Sequence, residues 1–465
     1  MLGQSPSTRH QDPLFGLTPT AFTWATGIED TFVAQTDRIG ERVLDEYALT
    51  NHYSFWREDL DRVSAVGLGA MRYGIPWYKV EPSPGKFDWS WTDKVIEYAA
   101  SKQIHLIADL MHYGTPLWLD NQFLNSSYPQ RVAEYEAEFA GRYRSVITHY
   151  TPLNEPLITM DFCGEKGLWP PYLRGHDGSV KILRQIARGI AMSVDAIRQA
   201  DPNAVIVHVE AAGEYIPDNE QLQPFADFLT SRARAATDLI LGKVGDRHPL
   251  FSWLLDHGMS EDDLAWHRQH PTRIDVMGDN YYPEVSVYRV RDFNGTPGTE
   301  RIWGGAEGLI RSVRDFHSHF GLPVFISETS TNGDLELRSK WMKDSIATIP
   351  LLRSEGVPVV GYTWWPLFSL IDWVYRDSAR PVEGFIGRNG PPVLDTEYIA
   401  KSIKGMRWNR LEQLPLEAYV ATMGLYEIDM QFDGTFARTE TPLVGQFRDY
   451  VKQNPGFLGP VGKSG

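Results

Sequence analysis

Two glutamates stand where apolar, β-prone segments of the chain end. Glu155 closes the run Thr-Pro-Leu-Asn-Glu at 151–155, and Glu328 closes the run Pro-Val-Phe-Ile-Ser-Glu at 323–328. A carboxyl group at the end of a buried strand is costly unless a site uses it. If both strands belong to one parallel barrel, their carboxyl ends share one face. One acid could then protonate a leaving oxygen while the other attacks or activates water, which is the chemistry of glycoside hydrolysis.

Between about residues 18 and 370, short apolar segments alternate with segments of helical periodicity. This pattern predicts the strands and helices that position the two acids. Gly67 and Gly321 each follow a predicted helix, where glycine is common. Eight strands are predicted, at Phe22–Ala25, Ala70–Trp77, His105–Met111, Ile147–Leu153, Ala204–Val209, Ile274–Asn280, Pro323–Ser327 and Val359–Trp364. Helices are predicted at Phe55–Val66, Trp91–Ser101, Gln130–Arg144, Val180–Gln199, Leu309–Phe320 and Leu337–Ser354. This alternation predicts an α/β fold, a (β/α)8 TIM barrel with parallel strands.

The barrel is expected to take up most of the chain as a single domain. We predict an N-terminal extension at 1–17, a catalytic barrel at 18–410 and a C-terminal segment at 411–465 packed on the barrel. The stretch from about 211 to 270 is interpreted as inserted helical loops at the barrel mouth. Leu443–Val451 is predicted to form a final helix. The length of 465 residues would allow two or three average domains, but α/β barrels often use this much chain as one unit.

The charge and the apolar content of the chain limit the kinds of partner that it can bind. The formal net charge of −15 argues against nucleic acid and anionic membrane surfaces. No apolar stretch approaches the roughly 20 residues that span a bilayer. The N-terminal residues lack the basic and apolar regions of a signal peptide, so a cytoplasmic protein is expected. A small-molecule glycoside is the predicted partner, and the sequence leaves the oligomeric state open.

Metal and cofactor chemistry is not expected. The chain has one cysteine, Cys163, which rules out an intrachain disulfide and a cysteine-based metal site. There is no His-Glu-x-x-His motif and no Gly-x-Ser-x-Gly motif. The pair His317 and His319 lies on an amphipathic helix without a carboxylate at metal spacing, and is interpreted as part of an exposed helical face.

Several motifs resemble those of glycoside hydrolase family 1, the retaining β-glucosidases and their relatives. The run Pro-Leu-Asn-Glu-Pro at 152–156 resembles the family's Thr-x-Asn-Glu-Pro, with Pro152 in place of threonine. The run Ile-Ser-Glu-Thr at 326–329 resembles its Ile-Thr-Glu-Asn-Gly. Segments on other strands are similar too, at 72–77, 110–116, 280–282 and 361–365 with 372–373. Counting strands places Glu155 at the end of strand four and Glu328 at the end of strand seven.

The resemblance implies a role for each matched residue. Glu155 would be the general acid/base, and Glu328 the nucleophile, kept ionised by Arg72 and a hydrogen bond from Tyr282. Asn154 would donate to the sugar's 2-hydroxyl. The remaining predicted substrate contacts are His112 to a sugar hydroxyl, Trp365 and Trp373 as apolar faces, and Asp372 and Glu29 in glycone recognition. Retaining chemistry predicts that the two catalytic carboxyl groups lie roughly 5–5.5 Å apart.

Some positions depart from the family pattern. The strand-one Gln that contacts the glycone is missing, and Glu29 is the candidate for its place. Tyr113 stands where the family has Trp, Thr329 where it has Asn, and Asp372 where it has Glu. All of these departures except Thr329 concern positions that contact the glycone more than positions that cleave the bond. The resemblance therefore implies that the catalytic residues are kept and that the sugar specificity differs.

The leading hypothesis is a retaining, exo-acting β-glycosidase that hydrolyses a terminal sugar from a small β-glycoside by double displacement. A transglycosidase with the same site is an alternative, since an acceptor hydroxyl can replace water. A carbohydrate-binding barrel without catalysis is another. The presence of Glu155, Glu328, Asn154, Arg72 and Tyr282 argues against it, because a binding protein does not need a paired acid and nucleophile.

Overall fold

The computed structural model describes residues 14–15, 22–38, 40–376 and 415–454. Eight parallel strands close a barrel, and we number them in chain order. They are β1 Thr23–Gly27, β2 Ala70–Gly74, β3 His105–Asp109, β4 His149–Thr151, β5 Val205–Ala211, β6 Val276–Asn280, β7 Val324–Thr329 and β8 Val359–Trp364. Each strand pairs with its neighbours in sequence, and β8 pairs with β1. The predicted TIM barrel is confirmed, with all eight strands at the predicted places.

Helices lie between the strands and surround the barrel. The six predicted ones are present, and most begin a few residues earlier than predicted. Their bounds are His52–Val66, Ser90–Ser101, Tyr128–Tyr143, Gly175–Ala200, Gly305–Phe320 and Leu335–Ser354. Gly67 and Gly321 end two of them with positive φ angles of 88° and 71°. A left-handed residue at a helix end is easiest for glycine, which explains why these positions marked the ends in the sequence.

The lower part of the barrel interior is closed by small and branched apolar side chains. Residues near the amino ends of the strands, such as Ala70, Val276 and Phe325, form this cluster. Phe15, which precedes β1, packs its ring against Phe325 at 4.9 Å between centroids. Part of the predicted N-terminal extension therefore serves as a plug for the barrel. The opposite, carboxyl end of the strands is left open for a site.

The insertion after β5 differs in part from the prediction. It contains the expected helices, at Gln223–Ala233, Ala235–Ile240, Phe251–Asp256 and Glu261–Gln269. It begins, however, with a short strand, Glu214–Pro217, which pairs with a hairpin formed by Val287–Phe293 and Thr296–Ile302. The barrel mouth therefore carries a small three-stranded sheet, and its strand Glu214–Pro217 lies in the stretch that we interpreted as helical loops.

Short elements complete the described part of the chain. The short helices are Glu46–Leu49, Trp77–Val80, Pro156–Thr159 and the wider turn Met160–Glu165, with 3-10 turns at Gln122–Leu124, Glu220–Leu222, Trp373–Arg376 and Leu416–Tyr419. Two-stranded sheets are formed by Phe32–Val33 with Leu44–Asp45, Leu370–Ile371 with Val420–Ala421, and Tyr426–Met430 with Phe436–Glu440. The predicted final helix is present as Pro442–Gln453.

The final helix packs on the outside of the barrel. Phe447 of this helix packs edge-on against Trp24 of β1, with 5.7 Å between ring centroids. Trp24 also donates from its indole Nε1 to the carbonyl oxygen of Asn454 at 2.8 Å. The predicted domain boundaries at 17 and 410 stay a prediction. No helix among the described residues is long and apolar enough to cross a membrane.

Candidate active site

Glu328 stands near the end of β7 and is held from two sides. Arg72, in the middle of β2, donates from Nη1 to Glu328 Oε1 at 2.5 Å. The hydroxyl of Tyr282, just after β6, donates to Glu328 Oε2 at 2.7 Å. Both contacts were expected from the sequence. A buried carboxylate with a guanidinium on one oxygen and a hydroxyl on the other is fixed in position and stabilised in its charged form.

Arg72 joins Glu328 to other strand ends. Its Nη2 donates to Asp109 Oδ2 at 2.5 Å and to Asn154 Oδ1 at 2.9 Å. Asp109 is the last residue of β3, and Asn154 follows β4. Because Arg72 is fully buried, these acceptors take the place of the water that its charge would otherwise require. The guanidinium therefore sets the relative positions of three strand ends.

Glu155 follows β4 in a left-handed backbone conformation with φ 44°. Its backbone N–H donates to Val209 of β5 at 3.1 Å, which holds this unusual turn in place. Both side-chain oxygens accept hydrogen bonds. The Tyr113 hydroxyl donates to Oε2, and Asn280 Nδ2 donates to Oε1 at 2.9 Å. Among the described residues no cation contacts the Glu155 carboxyl group directly.

Burial raises the pKa of both carboxyl groups. For Glu328 the charge of Arg72 opposes this rise, and the charge of Glu155 adds to it. For Glu155 the hydrogen bonds from Tyr113 and Asn280 oppose the rise. A negative charge on Glu155 raises the pKa of Glu328, so a single proton shared by the pair would relieve their repulsion.

A cleft opens at this end of the barrel. Six of the predicted site residues line it, namely Glu29, His112, Glu155, Tyr282, Glu328 and Trp373. Tyr113 and Asn280 line it as well. Its walls also include Leu157, Ile158, Tyr215 and Tyr288. The two tyrosine rings are stacked, with 5.2 Å between centroids.

Glu29 follows β1 and holds two indoles. Its Oε2 accepts from Trp365 Nε1 at 3.0 Å, and its Oε1 accepts from Trp373 Nε1 at 3.3 Å. Gly27 leaves the space for Trp365, since a Cβ there would come within 1.9 Å of a ring carbon. Glu29 Oε1 also lies 3.8 Å from His112 Nε2. Glu29 therefore lies beside Trp365, Trp373 and His112, and its role in glycone recognition stays a prediction.

Four predicted residues lie behind the cleft wall. Arg72 and Asn154 are fully buried, and their polar atoms are bonded to other site residues. Trp365 is also fully buried, with its ring parallel to that of His112 and facing Arg72. Asp372 Oδ1 accepts a hydrogen bond from the backbone N–H of Val374 at 3.0 Å, and so stabilises the turn that contains Asp372. Neither Trp365 nor Asp372 lines the cleft, in contrast to the sugar contacts that we predicted for them.

Sequence reasoning missed several groups at the site. Asp109 ends an apolar strand, as Glu328 does, and could have been found by the same signal. Asp30 follows the candidate Glu29 directly in the sequence, and its Oδ1 lies 2.8 Å from His112 Nδ1. Tyr113 was noted only as a departure from the family's Trp. Its contact with Glu155 joins residues 42 positions apart, and no local pattern marks it.

Asp30, Asp109 and His112 bring possible metal-ligand atoms within 4.8 Å of one another. Arg72 already donates to Asp109, and His112 Nδ1 contacts both carboxylates. Internal ion pairs therefore satisfy the charges of this cluster, and its donor set fits a structural network better than a metal centre.

Comparisons with known proteins show which family and which enzymes the chain is similar to. The family model described as Glycosyl hydrolase family 1 matches residues 24–236. Beta-glucosidase A of Thermotoga maritima is 22% identical over 364 residues, which cover 71% of this chain and 80% of that protein. A beta-galactosidase of Sulfolobus acidocaldarius is 20% identical over 416 residues, covering 74% and 79%.

Solved structures share the fold. A family 1 β-glucosidase from Thermotoga maritima superposes with a TM-score of 0.75 at 17% identity, covering 93% of this chain and 98% of that one. The same enzyme in complex with glucoimidazole gives a TM-score of 0.75 over 96% of this chain. The chain thus has the fold of these β-glucosidases, and it is similar in sequence to glycosyl hydrolase family 1 over residues 24–236.

Proposed function

We propose that the protein is a retaining, exo-acting β-glycosidase that removes a terminal sugar from a small β-glycoside by double displacement. The observation that carries the proposal is the unequal setting of two buried carboxyl groups at one cleft. Glu328 contacts the Arg72 guanidinium, whereas Glu155 contacts only neutral donors. The shared proton is therefore best placed on Glu155.

These settings fit the two steps of the reaction. The Glu328 carboxylate attacks the anomeric carbon and forms a glycosyl ester, while Glu155 gives its proton to the leaving oxygen. In the second step Glu155 takes a proton from water, which attacks the anomeric carbon and breaks its bond to the Glu328 oxygen, so that the Glu328 carboxylate is released. Arg72 and Tyr282 stabilise the Glu328 carboxylate before attack and after release.

The residues that line the cleft beside the two carboxyl groups are suited to bind a single sugar. Glu29, His112 and Trp373 are almost fully buried there, and each presents a hydrogen-bonding group or an aromatic face. The part of the wall with the stacked rings of Tyr215 and Tyr288 suits a small aglycone with an apolar face. The names of the relatives support a gluco- or galacto-configured sugar.

Trapping the covalent intermediate tests the proposal. A dinitrophenyl 2-deoxy-2-fluoro-β-glycoside releases dinitrophenolate, and the fluorine slows hydrolysis of the ester. We expect the intact mass to rise by one fluoroglycosyl group and the label to lie on the peptide that contains Glu328. Glu328→Gln should prevent labelling.

A matched control is Glu136→Gln. Glu136 is also a fully buried glutamate, on the helix Tyr128–Tyr143, but it lies away from the cleft lining. This variant should label as the wild type does. Labelling of a peptide without Glu328, or no turnover of any gluco- or galacto-configured aryl β-glycoside, would contradict the proposal.

A further inference from the structure

The hydroxyl of Tyr113 lies between the candidate acid and Asn154. It donates to Glu155 Oε2 and accepts from Asn154 Nδ2 at 2.9 Å. The ring is held by three other rings, those of His112 at 4.4 Å, Trp169 at 5.2 Å and Trp373 at 5.5 Å between centroids. With the ring packed on these sides, the hydroxyl has a fixed place at the cleft wall.

Through this hydroxyl the two candidate catalytic carboxyl groups belong to one hydrogen-bonded chain. It runs from Glu155 through Tyr113, Asn154 and Arg72 to Glu328. A second link runs through Asn280, whose Nδ2 contacts both Glu155 Oε1 at 2.9 Å and Asn154 Oδ1 at 3.2 Å. Each Glu155 oxygen is therefore tied to Asn154 by a different side chain.

We propose that Tyr113 is a positioning residue, which orients the Glu155 carboxyl group through its hydroxyl and links it to Asn154. This inference rests on the proposed function. A phenol can donate and accept at the same oxygen, whereas the indole N–H of tryptophan can only donate. The tryptophan typical of the resembled family could not accept from Asn154, so the link is a property of this chain.

The link also places Asn154 differently from our sequence-based expectation. Asn154 Nδ2 is directed to Tyr113 and lies 3.1 Å from His112 Nε2, and the side chain is fully buried. Its amide thus orients Tyr113, and Tyr113, not Asn154, lines the cleft. A sugar hydroxyl at this wall would meet the phenol oxygen first.

Other titratable groups also face Glu155. They are Arg72 from β2, His112 from the end of β3, Glu210 from β5, Tyr282 from the end of β6 and Glu328 from β7. Among the described residues, only Tyr113 and Asn280 donate hydrogen bonds to the Glu155 side chain. Tyr113→Phe therefore removes one of two direct donors and leaves the more distant charges in place.

The first test does not require turnover. The carboxyl resonance of Glu155 is followed by NMR in the full chain labelled with carboxyl-13C glutamate, and is assigned by its loss in Glu155→Gln. Loss of a donor to a carboxylate favours its neutral form, so in Tyr113→Phe the titration midpoint should rise by about one pH unit. An unchanged midpoint would overturn the proposal.

The second test separates positioning from direct sugar binding. A glycoside with a poor, alkyl leaving group needs the acid, whereas a dinitrophenyl glycoside does not. Tyr113→Phe should lower kcat/KM about tenfold for the alkyl glycoside and much less for the dinitrophenyl glycoside. Equal losses for both would assign the hydroxyl to sugar binding and overturn the positioning role.

Tyr150→Phe is the matched control. Tyr150 is a fully buried residue of β4 whose hydroxyl also donates to a carboxylate, Asp201 Oδ2 at 2.9 Å, away from the cleft. It should change neither the Glu155 titration nor the ratio of the two kcat/KM values. If the wild type hydrolyses neither glycoside, the proposed function fails, and the NMR midpoint still decides whether Tyr113 sets the state of Glu155.

Discussion

At the scale of single residues, the two central glutamates differ in the charge of the groups that touch them. Arg72 donates to Glu328, and a phenol and an amide donate to Glu155. Under the proposed function this difference favours the anion on Glu328 and the proton on Glu155. It also predicts that substitution of the two residues affects turnover in different ways.

Alanine variants should show this difference. Glu328→Ala should abolish turnover of every glycoside, and azide or formate should restore some cleavage to the inverted product. Glu155→Ala should still cleave a dinitrophenyl glycoside and lose substrates with poor leaving groups, and azide should give the retained glycosyl azide. Product configuration is read by NMR. Exchanged behaviour of the two variants would reverse the assignment.

The configuration of the first product of the wild type is a separate prediction. Two inversions at the anomeric carbon give overall retention, so the hemiacetal released first should be the β anomer. Proton NMR recorded within minutes of adding enzyme distinguishes it from the α anomer formed later by mutarotation. Initial release of the α anomer would indicate inversion, and a carboxyl separation well above the predicted 5–5.5 Å would be expected in a crystal structure.

The sequence predicted Glu155 and Glu328 from acids at the ends of apolar strands, but this signal is not specific. Asp109, Glu210 and Asp279 also stand at or near strand ends and are buried. Resemblance selected two from this larger set. It could not predict that Trp365 and Asp372 do not line the cleft, because the place of a side chain depends on contacts with distant residues such as Glu29.

At the scale of elements, strands and helices were predicted well because their apolar periods are local. The small sheet at the mouth was missed although it carries a local signal. Asn294 and Gly295 join its two hairpin strands, with positive φ angles of 55° and 87°. Asn-Gly between two β-prone runs is a strong signal for a two-residue hairpin turn. The many charged residues on this hairpin hid the alternation that marks a strand.

A buried aspartate joins two helices on the outside of the barrel, and its ionisation should make the free energy of unfolding depend on pH. Asp238, on the helix Ala235–Ile240, contacts His319 Nε2 at 2.8 Å and His248 Nε2 at 3.3 Å. Burial alone would raise the pKa of Asp238, but the hydrogen bonds from both histidines lower it to about 2. Its contribution to stability is therefore present above about pH 4 and is lost as the pH falls towards 2.

Asp238→Asn should lower the free energy of unfolding by about 2 kcal/mol at pH 5. The loss should shrink as the pH approaches 2, because the wild-type group is then also neutral. Urea unfolding at several pH values measures this. Asp227→Asn, which changes an exposed aspartate of the neighbouring helix, is the control and should have little effect. A loss that is the same at every pH would contradict the role of charge.

At the scale of the whole molecule, the barrel depends on segments from both ends of the described chain. Phe15 closes its lower end, and the helix Pro442–Gln453 covers β1 and β8 through Phe447. These contacts join the ends of the chain to the same core as the strands. We therefore expect the C-terminal helix and the barrel to unfold together.

Phe447→Ala tests this expectation. Phe447 is fully buried between Trp24 and Tyr362, so its truncation should cost about 3–5 kcal/mol. Thermal unfolding should stay a single transition at a lower temperature, by both fluorescence and far-UV circular dichroism. Phe432→Ala is the control, because Phe432 is fully exposed on the hairpin that precedes this helix. A separate early transition of the C-terminal helix alone would contradict cooperative unfolding.

The contact between Arg72 and Glu328 joins positions 256 residues apart in the chain. During synthesis, β2, β3 and β4 emerge with Arg72, Asp109 and Asn154 well before the strand that carries Glu328. Until β7 arrives, Arg72 can pair with Asp109 but lacks Glu328 as its second counterion, which favours hydration of this cluster over collapse. On refolding from denaturant, helical signal should therefore return before hydrolytic activity, and the rate at which activity returns would report the closure of the barrel.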